Sequence, residues 1–348
     1  MRGIHAVDAS QRVTIEINGG ARSVTMKRGM SLLEGLGSNG VYLPSACGGF
    51  GSCATCKVRI VEGGSPHMPT EIPYLSAREI ADNVHLGCQF RPITDARIQV
   101  SEGQLRAELY DCRVEEIVDL AQDMREIRLA LPEGRTVEFA GGQYCQIEVP
   151  PHDGIPATRR GYSVTSPPAR WGSLEFLVQH VPGGIVSSYL HRRLTVGQHL
   201  TVIAPFGEFG VHEQNAPMIF IAAGSGIAPF RSIIQERIDR DMMAKSDIWL
   251  FYGARTEEEL CYLDWLRGLS ERYRRFHLVA VLSEPRADWF GGSGRLADLL
   301  QGYLTHVHGA EPGCEAYLCG GPATLDACMN VLRQNGIPER MIHFDKFA

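Results

Sequence analysis

PSACGGFGSCATCK, residues 44–57, sets Cys47, Cys53 and Cys56 among three glycines (Gly48, Gly49, Gly51) and the small side chains of Ser52 and Ala54. A fourth cysteine, Cys88, stands alone downstream, so the full spacing is C-x5-C-x2-C-x31-C. Four thiolates can meet on two irons only if the chain wraps them closely and lends backbone amides to the sulfurs, which glycine permits by lacking a side chain and tolerating positive φ. The stretch is therefore read as the loop of a [2Fe-2S] cluster with Cys47, Cys53, Cys56 and Cys88 as ligands. A structural zinc site usually pairs its ligands as two short Cys knuckles, and here Cys88 has no close partner. A disulfide framework is disfavoured because the chain does not open on a basic-then-apolar export segment.

The chain has 348 residues, enough for two or three cores. Its formal charge of −6 and pI near 6.1 leave no basic footprint for nucleic acid, though a positively charged partner remains compatible. No apolar run approaches the roughly 18 residues of a membrane helix, so no membrane span is expected. Cys112, Cys145, Cys261, Cys314, Cys319 and Cys328 show no paired spacing, which suits a reducing, cytoplasmic setting.

Around the loop, QRVTIEI (11–17) and ARSVTMK (21–27) alternate as strands joined by Asn18-Gly19-Gly20, a hairpin signal. Ser31 with Glu34 forms a helix capping box; KVRIVEG follows the cysteines, and a second box, Ser76 with Glu79, precedes the strand-like HLGCQF that carries Cys88. ARIQV closes a sheet in the order of a β-grasp ferredoxin, and polar SEGQ (101–104) reads as a linker. Short β-like segments from about 105 to 208, separated by Gly and Pro, suggest an antiparallel barrel of six strands. After 215, apolar strands such as MIFIAA, IWLFYGAR, FHLVAVLS and EAYLCGGP alternate with helical patterns, which argues a parallel α/β sheet. The expected domains are 1–104, 105–212 and 213–348.

The extra residue in C-x5-C resembles the ferredoxin domain of the flavin subunit of the sodium-pumping NADH:quinone reductase, while CATCK is similar to the reductase components of phenol and methane hydroxylases. Arg160-Gly161-Tyr162-Ser163, followed by Gly184-Ile185-Val186-Ser187, resembles the flavin-binding motifs of the ferredoxin-NADP reductase superfamily. That resemblance implies FAD, with Arg160 on its pyrophosphate, Tyr162 against the ring and Ser163 at the reactive ring nitrogen. Gly184, Val186 and Ser187 would offer amides and a hydroxyl at a helix start. Gln179 stands where relatives commonly carry an arginine. Gly224-Ser225-Gly226-Ile227-Ala228-Pro229 ends an apolar strand and opens a helix; Pro229 in the first turn costs no hydrogen bond, so bare amides can face a nucleotide pyrophosphate. Cys319-Gly320-Gly321-Pro322 resembles the superfamily's nicotinamide-side motif, placing Cys319 near the hydride-yielding carbon and Gly320 and Pro322 on the nucleotide. Arg255, closing YGAR, joins the nucleotide-binding residues. Glu257, Glu258 and Glu259 follow it and would repel a 2′-phosphate, so NADH is the expected donor. Near the C-terminus, Asp345 and Phe347 resemble the acidic and aromatic residues that the family sets beside its flavin.

Together these resemblances imply a multidomain NADH-dependent reductase that passes electrons from NADH through FAD and the cluster to a partner. An oxygenase or hydroxylase component is the expected acceptor; an NADH:quinone or general NADH:acceptor oxidoreductase and a non-catalytic redox module are the alternatives. The sodium-pump protein carries an N-terminal anchor not seen in this sequence, which tilts the expectation toward a soluble acceptor.

Overall fold

The computed structural model describes residues 11–169, 172–211, 216–306 and 313–347. In the N-terminal part, the hairpin of β1 (Arg12–Ile17) and β2 (Arg22–Lys27) leads to α1 (Leu32–Gly37), whose N-cap Ser31 accepts from the Glu34 amide. The cysteine loop follows, then β3 (Lys57–Glu62), α2 (Ala77–Ala81), β4 (Val84–Leu86) and β5 (Ala96–Gln99). Strand order β2-β1-β5-β3-β4, with β1 and β5 parallel, makes this a β-grasp ferredoxin sheet. Period-two alternation decides which face is covered: Val13, Ile15 and Ile17 all point inward, against Leu32 and Leu36 of α1 and Phe90. Each such side chain contributes about 1.5–3 kcal/mol by leaving water. Ser76 and Glu79 form the expected reciprocal capping box on α2.

SEGQ is ordered more than a linker reading implies. Ser101 caps a 3-10 turn over Glu102–Leu105, Gln104 answers to the Ser101 amide, and the Gln104 side chain reaches the Lys57 carbonyl at 3.4 Å. Ser followed three residues later by Gln is a capping box, and its local hydrogen bonds outcompete an extended conformation.

The second sheet contains β6 (Glu108–Ala121), β7 (Met124–Ala130), β8 (Tyr144–Val149), β9 (Thr158–Ser163) and β10 (Ser173–Gln179), then α3 (Ile185–Arg192) and β11 (His199–Phe206). Its order is β10-β7-β6-β11-β8-β9, and a bridge between Val164 and Phe176 joins the end of β9 back to β10. This is the six-stranded antiparallel barrel.

The C-terminal part runs β12 (Met218–Ala223), α4 (Ile227–Asp239), β13 (Ile248–Ala254), α5 (Leu263–Arg272), β14 (Phe276–Leu282), β15 (Gly292–Ser293), α6 (Leu296–His306), β16 (Glu315–Gly320), α7 (Pro322–Gln334) and β17 (Ile342–Lys346). Sheet order β15-β14-β13-β12-β16-β17 is parallel throughout. Apolar layers cover both faces, which is why its central strands read as unbroken hydrophobic runs. Among the described residues no helix is long and apolar enough to cross a membrane.

By contacts the chain forms two compact units: the part up to Tyr110 with Gln146–Gly161 and Thr201–Phe206, and Asp111–Cys145 with Tyr162–Leu200 and the chain from Gly207 on. The expected boundary at 212/213 lies outside the described residues.

Candidate functional site

In the first unit, Cys47, Cys56 and Cys88 are buried and Cys53 is half-buried. Gly48, Gly49 and Gly51 all have positive φ, as a tight wrap requires. The four thiols fall into two pairs. Cys53 Sγ lies 3.4 Å from Cys47 Sγ, and Cys56 and Cys88 act chiefly on each other's titration. Cys47 is held far below the ordinary thiol value, chiefly by the bond from Cys53, and Cys88 is lowered chiefly by Cys56. Their partners are pushed up by the same bonds and by burial. No three of the described His, Cys, Asp or Glu side chains converge on a single metal position. Two pairs of thiols suit two metal positions better than one. Thr55 Oγ1 lies 3.0 Å from Cys53 Sγ and accepts from the Ala46 amide, while Gln89 Nε2 reaches Cys88 Sγ at 3.6 Å. Neither Thr55 nor Gln89 was singled out from sequence, because contact with sulfur appears only when the loop closes.

The loop rests on β9. The Gly161 amide donates to the Ala46 carbonyl at 3.2 Å, and a Cβ on Gly48 would overlap the Arg159 carbonyl and lie 2.5 Å from Arg160 Nη1. Arg159 pairs with Glu148 at 2.5 Å. Arg160 has no carboxylate partner among the described residues; it donates to the Arg159 carbonyl at 2.7 Å and sits over the Phe50 ring. A half-buried guanidinium left without a counter-charge suits an anion such as a pyrophosphate.

In the second unit, Tyr162 is half-buried and Ser163 is buried, with its hydroxyl unpartnered among the described residues. Gly184 is the N-cap of α3 with no side chain closing the helix start. Val186 packs in the core, so only its backbone can serve a ligand. The Ser187 hydroxyl is engaged by Val181, accepting from its amide at 3.2 Å, and thereby closes the loop. Gln179 bridges Asp123 at 3.1 Å and the Ser225 hydroxyl at 3.2 Å, tying the barrel strand to the GSG turn.

Gly224–Gly226 forms a 3-10 turn that opens α4, again uncapped, with Ala228 and Pro229 buried beneath it. Cys319 is fully buried at the end of β16, and Pro322 starts α7 behind Gly320 and Gly321. Burial, aided by the charge of Asp345, pushes the Cys319 thiol well up, so it stays neutral. Asp345 is its register partner on β17, its own pKa raised to about 6 by burial. The Phe347 amide donates to the Gly320 carbonyl at 3.0 Å. The structure thus gathers Gly224, Gly226, Cys319, Gly320, Pro322, Asp345 and Phe347 at one end of the parallel sheet, where open α/β sheets bind ligands.

Arg255 pairs with Glu259 at 2.7 Å, Glu258 with Arg286 at 2.5 Å, and Glu257 lies 3.7 Å from Arg267. The three carboxylates are therefore not bare, and repulsion of a 2′-phosphate is softer than the sequence alone suggests. Glu259 occupies Arg255.

Residues 15–92 match the 2Fe-2S iron-sulfur cluster binding domain, 111–210 the oxidoreductase FAD-binding domain and 220–330 the oxidoreductase NAD-binding domain. With the three sheets, these matches define an NADH-dependent iron-sulfur flavoprotein oxidoreductase carrying a [2Fe-2S] cluster and FAD. The chain belongs to the ferredoxin-NADP reductase-type family that includes the F subunits of Na(+)-translocating NADH-quinone reductases. It is 32% identical to the Neisseria meningitidis member over 97% of this chain and 92% of the relative. With the Pseudomonas aeruginosa member identity is 33%, over 98% and 92%. Among solved structures, Amycolatopsis cytochrome P450 reductase GcoB aligns with a TM-score of 0.77 at 28% identity, covering 96% of this chain and 98% of that one. The ferredoxin reductase in carbazole 1,9a-dioxygenase aligns at 0.70 and 26%, covering 97% and 99%.

Proposed function

We propose that this chain is the reductase component of a multicomponent oxygenase, drawing on NADH and delivering electrons singly to a separate hydroxylase protein. The observation that carries the choice of acceptor is the end-to-end structural likeness to two reductases whose names tie them to a cytochrome P450 and to a dioxygenase. When bound, the flavin supplies the exchange between a hydride pair and single electrons, and the cluster supplies a one-electron station.

The chain's own part is holding and orienting. Cys47, Cys53, Cys56 and Cys88 would hold the two irons. Arg160 would answer the flavin pyrophosphate, and Gly184, Val186 and Ser187 would lend helix-start amides. Tyr162 would pack on the ring, and Ser163 would offer its hydroxyl to the reactive nitrogen. Gly224, Gly226, Ala228 and Pro229 shape the nucleotide cradle. Neutral Cys319, with Gly320 and Pro322, borders the nicotinamide without adding charge, and Asp345 and Phe347 close that side.

Reconstitution with the products of neighbouring genes tests the assignment. Cluster-dependent reduction of cytochrome c and NADH-driven product formation with an added hydroxylase component are expected. A second reading, an NADH:quinone oxidoreductase, is favoured by the full-length identity to the sodium-pump proteins. Sustained turnover with ubiquinone alone, and none with any oxygenase component, would replace the first reading with the second.

A further inference from the structure

Phe50 lies in a cysteine loop that is one residue longer than the plant-type spacing, and it is 66% exposed. An aromatic ring so exposed has no packing reason to be there. Its face lies against Arg160, with the guanidinium carbon 4.8 Å from the ring centroid. Beneath them a Cβ on Gly48 would overlap the Arg159 carbonyl and meet the Arg160 guanidinium, so loop and strand pack closely here.

A guanidinium has a π-face and an in-plane edge, and these can be used independently. Here the guanidinium sits over the Phe50 ring, and one N–H is spent on the Arg159 carbonyl. The remaining donors, with no carboxylate on them among the described residues, stay available for two oxygens of a phosphate. The ring and the carbonyl together restrict the guanidinium before any anion arrives.

We propose that Phe50 is a positioning residue that couples flavin binding to the cluster loop: it orients Arg160 for the flavin phosphates, and the phosphates, by fixing Arg160, order the CGGFG loop. This rests on the reading of Arg160 as the pyrophosphate contact. Coupling of this kind is reciprocal, so an intact loop strengthens flavin binding by the same factor that bound flavin steadies the loop.

The test uses full-length protein, stripped of flavin with its cluster retained, titrated with FAD. Wild type, Phe50→Leu, Phe50→Trp and Arg160→Ala are compared by the Kd for FAD and by hydrogen exchange of residues 45–53 with and without FAD. The EPR signal of the reduced cluster confirms that each protein keeps its loop folded. Phe50→Leu, which keeps bulk and loses the π-face, should weaken FAD about three- to tenfold and abolish the FAD-dependent protection of the loop; Phe50→Trp should restore both. A cluster-bearing Phe50→Leu protein with wild-type affinity and protection overturns the proposal. Unchanged affinity in Arg160→Ala would instead remove the reading beneath it, so the two failures are distinguishable.

Discussion

Gly226 lies flat against Cys319: a Cβ at Gly226 would overlap the Cys319 carbonyl oxygen and lie 2.9 Å from the Gly320 Cα. The two glycine motifs of the parallel sheet are nearly a hundred residues apart in sequence, yet they share one backbone contact. Gly226→Ala should therefore push the GSG turn off β16, costing on the order of 1–3 kcal/mol as an overpacked contact. Because the displaced turn is the nucleotide cradle, kcat/KM for NADH should fall by more than the melting temperature suggests. Steady-state kinetics beside thermal melts check this, and unchanged kinetics would separate the turn from nucleotide binding.

Cys88 completes one thiol pair and is distant in sequence from the other three cysteines. Cys88→Ser should abolish or distort the cluster while NADH-driven ferricyanide reduction, which needs only the flavin and nucleotide halves, stays within about twofold. The EPR spectrum after reduction decides it: a normal rhombic signal would remove Cys88 from the ligand set.

At the nucleotide's ribose end, the expected preference for NADH over NADPH is at least about tenfold in kcat/KM, about 1.4 kcal/mol of transition-state discrimination. The Arg255–Glu259 pair gives this a direction that can be reversed. Glu259→Gln frees Arg255 for a 2′-phosphate and should raise kcat/KM for NADPH about three- to tenfold, with little change for NADH. A parallel loss with both nucleotides would show that Glu259 only holds the turn.

Asp345 sets a pH dependence. Burial raises its pKa from the ordinary 3.8 to about 6, so the folded protein holds this proton more tightly than the unfolded chain. Below pH 4 both states are protonated and nothing is lost. As pH rises through the window from about 4 to about 6, the folded state must carry a buried charge, and stability falls by about 2–3 kcal/mol. Asp345→Asn should flatten this slope and stabilise the protein above pH 6. Denaturant midpoints at pH 4, 5, 6 and 7 for both proteins measure it; identical slopes would exclude Asp345 as the source.

Much of this protein is local, and local features are written in its sequence. Period-two alternation gave β1 and β2, Ser31 and Ser76 marked helix starts, and the C-x5-C-x2-C spacing with its glycines announced the metal loop, because each depends on residues within a few positions of one another. What only the tertiary structure decided are the meetings between distant segments. Cys88 acts on Cys56, Gly226 meets Cys319, Asp345 lands beside Cys319, and Arg160 sits over the Phe50 ring. The carboxylates after YGAR make the same point: their sign was readable, but their pairing with Arg255, Arg267 and Arg286 depends on how loops converge at a sheet edge. Sheet register and loop packing bring such residues together through contacts whose partners lie tens to hundreds of positions apart, and no short-range pattern encodes them.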